Sequence, residues 1–281
     1  KFASDHLKEK YLKPLASGKK LGAFSLSEPQ SGSDASNMRT FANKDGDHYY
    51  ISGTKNWVTN GINSDYVILF AVTEKGIGHK GVSCFLVEKG WDGFETGKAE
   101  NKLGIRASDT CELYFDNVKI PAKNLIGNEG EGFKIALATL DGGRIGIASQ
   151  ALGIAQASLN ASVAYSNERI QFGKPISKNQ AIQFKIADMG MEIEAARLLI
   201  RQAAWKKDQK QNYGHLASMA KVYASEVAMR ASTQCVQIHG GFGYMRESGI
   251  ERLMRDAKIT QIYEGTSEIQ RVVIARELLK K

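Results

Sequence analysis

Proline is scarce, and beyond residue 128 it nearly disappears: of four in 281 residues, only Pro175 lies past that point. The absence of the main helix breaker leaves that region open to long helices. Cysteine is scarcer still. Cys84, Cys111 and Cys235 are odd in number, sit in apolar surroundings and show no CxxC spacing, which excludes a disulfide framework and fits buried thiols in a reducing compartment. The five histidines are isolated, so no metal centre is expected. No run approaches the roughly 18 apolar residues of a membrane-spanning helix. Lysine and arginine are in excess, giving a net charge of +8, but they are scattered, which argues against a nucleic-acid-binding arm. With 42% hydrophobic and 24% charged residues, the chain has the composition of a folded globular protein with one or two cores.

What is present changes character near residue 128. LGAFSLS (21–27), HYYISGT (48–54), DYVILFAV (65–72) and GVSCFLVE (81–88) are short apolar or β-branched runs separated by Gly, Asn, Asp and Lys, the pattern of strands and turns. In CELYFDNVKI (111–120), Leu113 and Phe115 alternate with Glu112, Tyr114 and Asp116, as a half-buried strand requires. Beyond residue 129 the period is helical. Ile182, Ile186, Met189, Ile193, Ala196, Ile200 and Ala203 recur at steps of three and four, and Val222, Met229 and Val236 share a face of another helix. A long helix near 130–167 carries Gly142, Gly143, Gly146 and Gly153, which lower helix propensity but permit close approach of another backbone. The fold class expected is α+β, an antiparallel β domain followed by an antiparallel helical bundle.

Familiar cofactor templates fail. Gly240, Gly241 and Gly243 in IHGGFGYMRE follow a helical run and lack the third glycine of GxGxxG, which rules out a Rossmann turn. GFETGKA (93–99) misses the Walker spacing, and no G-x-S-x-G elbow anchors a serine nucleophile. QIYEGTSEIQR (261–271) carries more information. Ser267 and Gln270 fit the S-x-x-Q capping box, with Ile269, Val272 and Val273 opening an apolar face. That explains a helix start but not Glu264, a carboxylate between a tyrosine and a glycine, which a local reading leaves as solvated surface.

Five stretches, LSEPQSGSDAS (26–36), GTKNWVTNG (53–61), ERIQFGKPI (168–176), QIHGGFGYMRESGIERLMRD (237–256) and IYEGTSEIQR (262–271), together resemble the marker segments of the acyl-CoA dehydrogenase family, in the same order. TLDGGRIGIASQALGIAQ (139–156) is most similar to its short-chain, butyryl-CoA branch. Residues 1–20 resemble the tail of the family's N-terminal helical domain, most of which is expected to be missing from this chain. The divisions implied are therefore 1–20, a middle β domain over 21–127 and a C-terminal helical bundle over 128–281.

The resemblance implies FAD-dependent α,β-dehydrogenation of a short-chain acyl-CoA to a trans-2-enoyl-CoA, with Glu264 removing the α-proton and N5 of FAD accepting the β-hydride. Burial would make that carboxylate a stronger base. Donors at the thioester oxygen, in the family a ribityl hydroxyl and the N–H of the base itself, would stabilise the developing enolate. Some branches carry the base on a facing helix, at the position matching Gly143, which has no side chain to serve. By the same resemblance Phe24, Leu26 and Ser27 edge the isoalloxazine, while Trp57 and Thr59 pack against it. Arg169, Gln171 and Phe172 reach the FAD of a neighbouring subunit, with Arg169 on the pyrophosphate. Gln180 and the stretch Gln237, Ile238, His239, Gly240 and Gly241 contact the same dinucleotide half, and Thr266 and Glu268 contact FAD after the base. Ser33, Asp141, Arg144, Tyr263 and Gly265 are implied at the substrate, Arg144 suiting a phosphate-bearing anion.

A dimer of dimers and reoxidation by electron-transfer flavoprotein are implied as well. Bacterial cytoplasm and mitochondrial matrix are both compatible compartments. Two alternatives stand beside this reading: an acyl-CoA oxidase-like flavoprotein, and a non-catalytic truncated module with the same fold.

Overall fold

The structure, a computed structural model, describes residues 1–280. The chain divides into two compact units, one of residues 1–102 and 106–139, the other of residues 103–105 and 140–281.

The first unit is built on an eight-stranded sheet: β1 (Gly22–Ser25), β2 (Phe41–Asp45), β3 (His48–Thr59), β4 (Tyr66–Val72), β5 (Val82–Glu88), β6 (Phe94–Thr96), β7 (Thr110–Pro121) and β8 (Leu125–Ile126). Its order is β6-β7-β3-β2-β4-β5-β8, with β1 also on β4. The alternation read in CELYFDNVKI is real. Leu113, Phe115, Val118 and Ile120 are buried, and an irregularity opposite Ile51 and Gly53 leaves Asp116 and Asn117 both outward and shifts the phase by one residue. The sheet is not wholly antiparallel, however. β1 pairs with β4 in parallel along its full length, and β2 meets β4 in parallel at Phe41 and Val72. The sequence runs separating those strands are long enough for parallel crossovers, and a local alternation pattern carries no strand direction. The short strands β2, β6 and β8 have too few apolar residues to stand out as runs. Residues 1–20 pack into this unit: Leu7 and Tyr11 are buried, and Tyr11 donates to Glu88 Oε1 at 2.7 Å.

The second unit is helical: α1 (Gly132–Glu168, whose first turns belong to the first unit), α2 (Gln180–Asp208), α3 (Gly214–His239), α4 (Ile250–Thr260) and α5 (Ser267–Leu278). Met189, Ile193, Ala196, Ile200 and Ala203 of α2 are buried at the spacing the sequence sets. They meet small residues, Ala148, Ala151 and Ala155 of α1 and Ala220, Ala224 and Ala228 of α3, in one cluster. Alanine lets helix axes come close, and dispersion contacts then supply the stabilisation. Residues 103–105 complete this unit. Asp256 Oδ1 accepts from Ile105 N at 2.6 Å, and Arg255 donates to the Leu103 carbonyl at 2.8 Å, so α4 is held at its middle turn. No helix among the described residues is long and apolar enough to cross a membrane.

An ion pair lies inside the first unit. Lys55 of β3 is fully buried and donates to Glu28 Oε1 at 2.8 Å and to the Leu26 carbonyl at 3.1 Å. Glu28 also accepts from the backbone N–H groups of Arg39 at 2.5 Å and Thr40 at 3.0 Å. Burial pushes Lys55 down to about 8 against the pull of Glu28. Burial would push Glu28 up, yet Lys55 and the N–H donors bring it below the usual carboxylate range. Removing one partner of such a pair strands the other charge. Lys55→Met should therefore lower unfolding free energy in urea by about 3–5 kcal/mol. Lys55→Met combined with Glu28→Gln, which keeps an acceptor for the two N–H groups, should recover most of the loss. A single variant as stable as the parent would show that the pair carries no such weight.

Candidate active site

The loop joining α4 to α5 holds one residue out of line. Glu264 has φ 57° and Gly265 φ 85°, two consecutive left-handed residues, where glycine is at ease and glutamate bears about 1–2 kcal/mol of strain. The cap of α5 is Thr266, whose Oγ1 accepts from Ile269 N at 3.3 Å. It is not Ser267, whose buried hydroxyl has no partner among the described residues. Gln270 closes no capping box either. Its Nε2 donates to the carbonyls of Glu264 and Gly265, both at 3.0 Å, and a Cβ at 265 would fall 2.6 Å from that nitrogen. From α3, Lys221 Nζ donates to the Gly265 carbonyl at 2.7 Å. The loop's carbonyls are thus tied down twice, while the N–H of Glu264 meets no acceptor among the described residues.

The Glu264 carboxyl occupies the space of a missing side chain. A Cβ built on Gly143 would overlap Glu264 Oε1 and come within 2.8 Å of Cδ. The glycines of α1 therefore do not admit a second backbone as their spacing suggests: Gly143 admits a carboxyl group, and space is open at Gly146 and Gly153. Burial, the largest influence, raises Glu264 above the ordinary carboxylate value, and Arg144 and Lys221 pull against it. Arg144 is itself buried, with 7% of its side chain exposed, donating to Asp141 Oδ1 at 2.7 Å and Ser218 Oγ at 3.3 Å. It is not the free cation that a phosphate contact needs. Burial also raises Asp141, against the opposing charge of Arg144. Tyr263 hydrogen-bonds Gln150, and burial pushes its phenol up to about 12. Glu268 is exposed in the first turn of α5.

Elsewhere in the second unit a recess of about 630 Å³ gathers Arg169, Gln171, Ile238, His239, Gly240 and Gly241 with Tyr165 and Phe242. His239 stacks on Tyr165 at 4.3 Å between centroids, and Tyr165 lies parallel to Phe242 at 6.1 Å. The Cys235 carbonyl, an acceptor only, lies 2.8 Å from His239 Nδ1, which places the proton on Nδ1. Gly240 has φ 61° and nothing within 4 Å of its missing Cβ, so the backbone there is open to a ligand. Beside the recess, Ile170–Gln171 and Lys174–Pro175 form a hairpin turning at Phe172 (φ 51°) and Gly173 (φ 77°). Such turns favour Asn-Gly, yet Phe172 takes the first position and is 96% exposed. Gln180 and Gln237 are exposed outside the recess lining.

In the first unit, Trp57 sits at a break in the β3–β7 register between Lys55 and Val58, with φ 59° and 63% of its surface exposed. The bulge turns a large aromatic outward, and Thr59 is exposed two residues on. Asn56 N donates to the Ser27 carbonyl at 2.8 Å, linking the bulge to the segment after β1. Phe24 packs on Phe70 at 5.1 Å, Leu26 is buried, Ser27 is partly exposed, and Ser33 lies on an exposed loop. In the second unit, the stacked aromatic walls, open glycine backbone and exposed Arg169 fit an adenine and a pyrophosphate; in the first unit, the bare Trp57 indole offers a face to an aromatic ring.

The acyl-CoA dehydrogenase middle-domain profile matches residues 23–118, and the C-terminal-domain profile of the same family matches residues 130–279. The chain belongs to the acyl-CoA dehydrogenase family. The short-chain specific acyl-CoA dehydrogenase, mitochondrial, of Bos taurus is 52% identical over 280 residues, which cover 100% of this chain and 68% of that protein. The solved structure of butyryl-CoA dehydrogenase from Megasphaera elsdenii superposes with a TM-score of 0.98 at 53% identity, covering 99% of this chain and 73% of that one. A chain from a structure described as the electron transferring flavoprotein of Acidaminococcus fermentans superposes with a TM-score of 0.99 at 52% identity, covering 100% and 74%. The chain is thus an enzyme of the acyl-CoA dehydrogenase family with short-chain relatives.

Sequence reasoning missed Lys221, Gln270 as a loop tie and Gln150, because each lies far along the chain from its partner or passes for an ordinary helix residue. The one usable signal was a lysine at 221 among the small and apolar residues of ASMAKVYAS. Gly143→Ala gives a direct check on the geometry. Alanine favours a helix over glycine by roughly 0.5–1 kcal/mol, so thermal stability should hold or rise. Dehydrogenase activity should fall on the order of 10- to 100-fold as the carboxyl is displaced, and full activity in this variant would contradict the placement.

Proposed function

We propose that the protein dehydrogenates a short-chain acyl-CoA thioester, with Glu264 as the base that takes the α-proton. The observation that carries this reading is a carboxyl group seated over the side-chain-free backbone of Gly143, with a raised proton affinity, on a strained loop that two side chains tie down. Glu264 accepts the proton on a carboxylate oxygen, and its own N–H is free to donate to the thioester oxygen as enolate charge develops there. FAD, when bound, supplies at N5 the acceptor for the hydride leaving the β-carbon, so that a trans-2-enoyl-CoA results. Trp57 and Thr59 would pack on the flavin ring, with Phe24, Leu26 and Ser27 along its edge and Thr266 and Glu268 near Glu264. Arg169, Gln171, Gln180 and the stretch 237–241 would hold the dinucleotide half. Ser33, Tyr263, Gly265 and Asp141 would line the acyl-CoA, while Arg144 acts through its charge on Glu264.

Self-association belongs to the same reading. Phe172 is strained and bare at a hairpin tip, and α2 carries an outward stripe of Phe184, Met191, Leu198 and Trp205. Both support a dimer of dimers in which Arg169, Gln171 and Phe172 serve a neighbour's FAD. Electron-transfer flavoprotein is the proposed electron acceptor, a role in keeping with the Acidaminococcus fermentans relative.

The reading is tested by anaerobic titration with butyryl-CoA. The FAD-loaded protein should lose its flavin absorbance, whereas Glu264→Gln should keep it; equal bleaching in the variant would remove Glu264 from its role. Because the base works only when ionised, the bleaching rate of the intact protein should rise with pH, with a midpoint above the ordinary carboxylate value. A second check uses Phe172→Asn, which restores an Asn-Gly turn. Thermal stability of the FAD-free chain should hold or rise, while FAD retention and the largest species on gel filtration should both diminish.

A further inference from the structure

We infer that Lys221 is the positioning residue for Glu264: buried beneath the loop, its ammonium clamps the Gly265 carbonyl and keeps the neighbouring glutamate left-handed, with its carboxyl over Gly143. The inference rests on Glu264 being the base.

Lys221 lies in the N-terminal third of α3 with no exposed surface. A lysine ordinarily runs its stem along a surface and keeps its charge in water; this one runs inward and ends 2.7 Å from the Gly265 carbonyl. Burying an ammonium is costly unless its position uses the charge or the donors. Here both have a use. The donor meets one of the two carbonyls that Gln270 also holds, so side chains from α3 and α5 together fix the Gly265 carbonyl, and Gln270 holds that of Glu264 as well, the two residues with positive φ. Gln270 alone leaves the loop free to pivot about the Gln270 amide; a second point of attachment removes that freedom.

The charge acts on the carboxyl itself. The groups bearing on Lys221 are Glu264 in the loop, Glu268 on α5 and Arg144 on α1, and Arg144 is half committed to Asp141. Arg144 and Lys221 are the cations that oppose the rise of Glu264 on burial. Burial also brings Lys221 down to about 8, so near neutrality it still carries its proton. Without that cation the carboxyl would hold its own proton more tightly and be ionised in a smaller fraction of molecules.

The test uses the full chain as purified, with ¹³C-carboxyl-labelled glutamate. The Glu264 resonance is the one lost in Glu264→Gln, and its titration midpoint is read in parent and variants without substrate. Lys221→Met should raise that midpoint by about one pH unit or more, speed amide hydrogen exchange across 261–270 at least tenfold, and lower kcat more than it alters KM. Lys221→Arg should restore the midpoint. Lys221→Gln, which retains a donor without the charge, should raise the midpoint but leave exchange near the parent's. It also decides the matter should the methionine variant fail to fold, since an unchanged midpoint in Lys221→Gln overturns the inference. An unchanged midpoint and unchanged exchange in a folded Lys221→Met overturn it as well. The assignment of Glu264 as base fails separately, through normal bleaching in Glu264→Gln, so the two failures can be told apart.

Discussion

The Glu264 carboxyl rests against helix backbone where any residue but glycine would put a side chain, and the buried charges around it answer to that contact. A carboxylate pressed on peptide groups loses hydration and resists ionising. Left uncompensated, it would hold its proton more tightly. Arg144 and Lys221 supply the compensation, one from α1 and one from α3. Each is buried and therefore needs its own partners, which Asp141 and Ser218 provide for Arg144 and the Gly265 carbonyl for Lys221. A chain of obligations thus runs from one unusual contact out to helices that are distant in sequence. The strained dihedral at Glu264 belongs to the same chain, because an unstrained loop would carry the carboxyl elsewhere.

The first unit also turns a side chain against its local pattern, with a different device. Trp57 stands outward from a sheet whose alternate residues are packed, and a bulge does this by breaking register between Lys55 and Val58. The bulge gives up ladder hydrogen bonds, and the buried Lys55–Glu28 pair stiffens the strand just before it. Lys55 also reaches the Leu26 carbonyl, and Asn56 the Ser27 carbonyl, so the segment after β1 and the indole share one scaffold.

Much of this was legible in the sequence, and the illegible part has a common cause. Burial on α2 and β7 appeared as period because it repeats along one element. The resemblance of IYEGTSEIQR picked out Glu264, which local pattern alone would have left as surface. Three things stayed hidden. The parallel pairing of β1 and β2 with β4 is a property of chain direction, which apolar alternation does not encode. The cap of α5 moved one residue, from Ser267 to Thr266, because Gln270 was drawn to the loop carbonyls instead of the helix start. Lys221 went unread despite its small and apolar neighbours, since a single lysine in a helical run reads as a solvated charge until its partner is seen.

The outward stripe of α2 has a geometric corollary. Phe184, Met191, Leu198 and Trp205 repeat every seven residues, while a straight α-helix returns to the same bearing only after slightly more than seven, so the stripe slips sideways by about 20° per heptad. A straight rod laid parallel to α2 would touch two of the four and leave the rest. A helix that engages Phe184 and Trp205 together has to lean across α2 at roughly 20°, which makes the crossing angle, and with it the handedness of any bundle formed there, a quantity already written into four side chains.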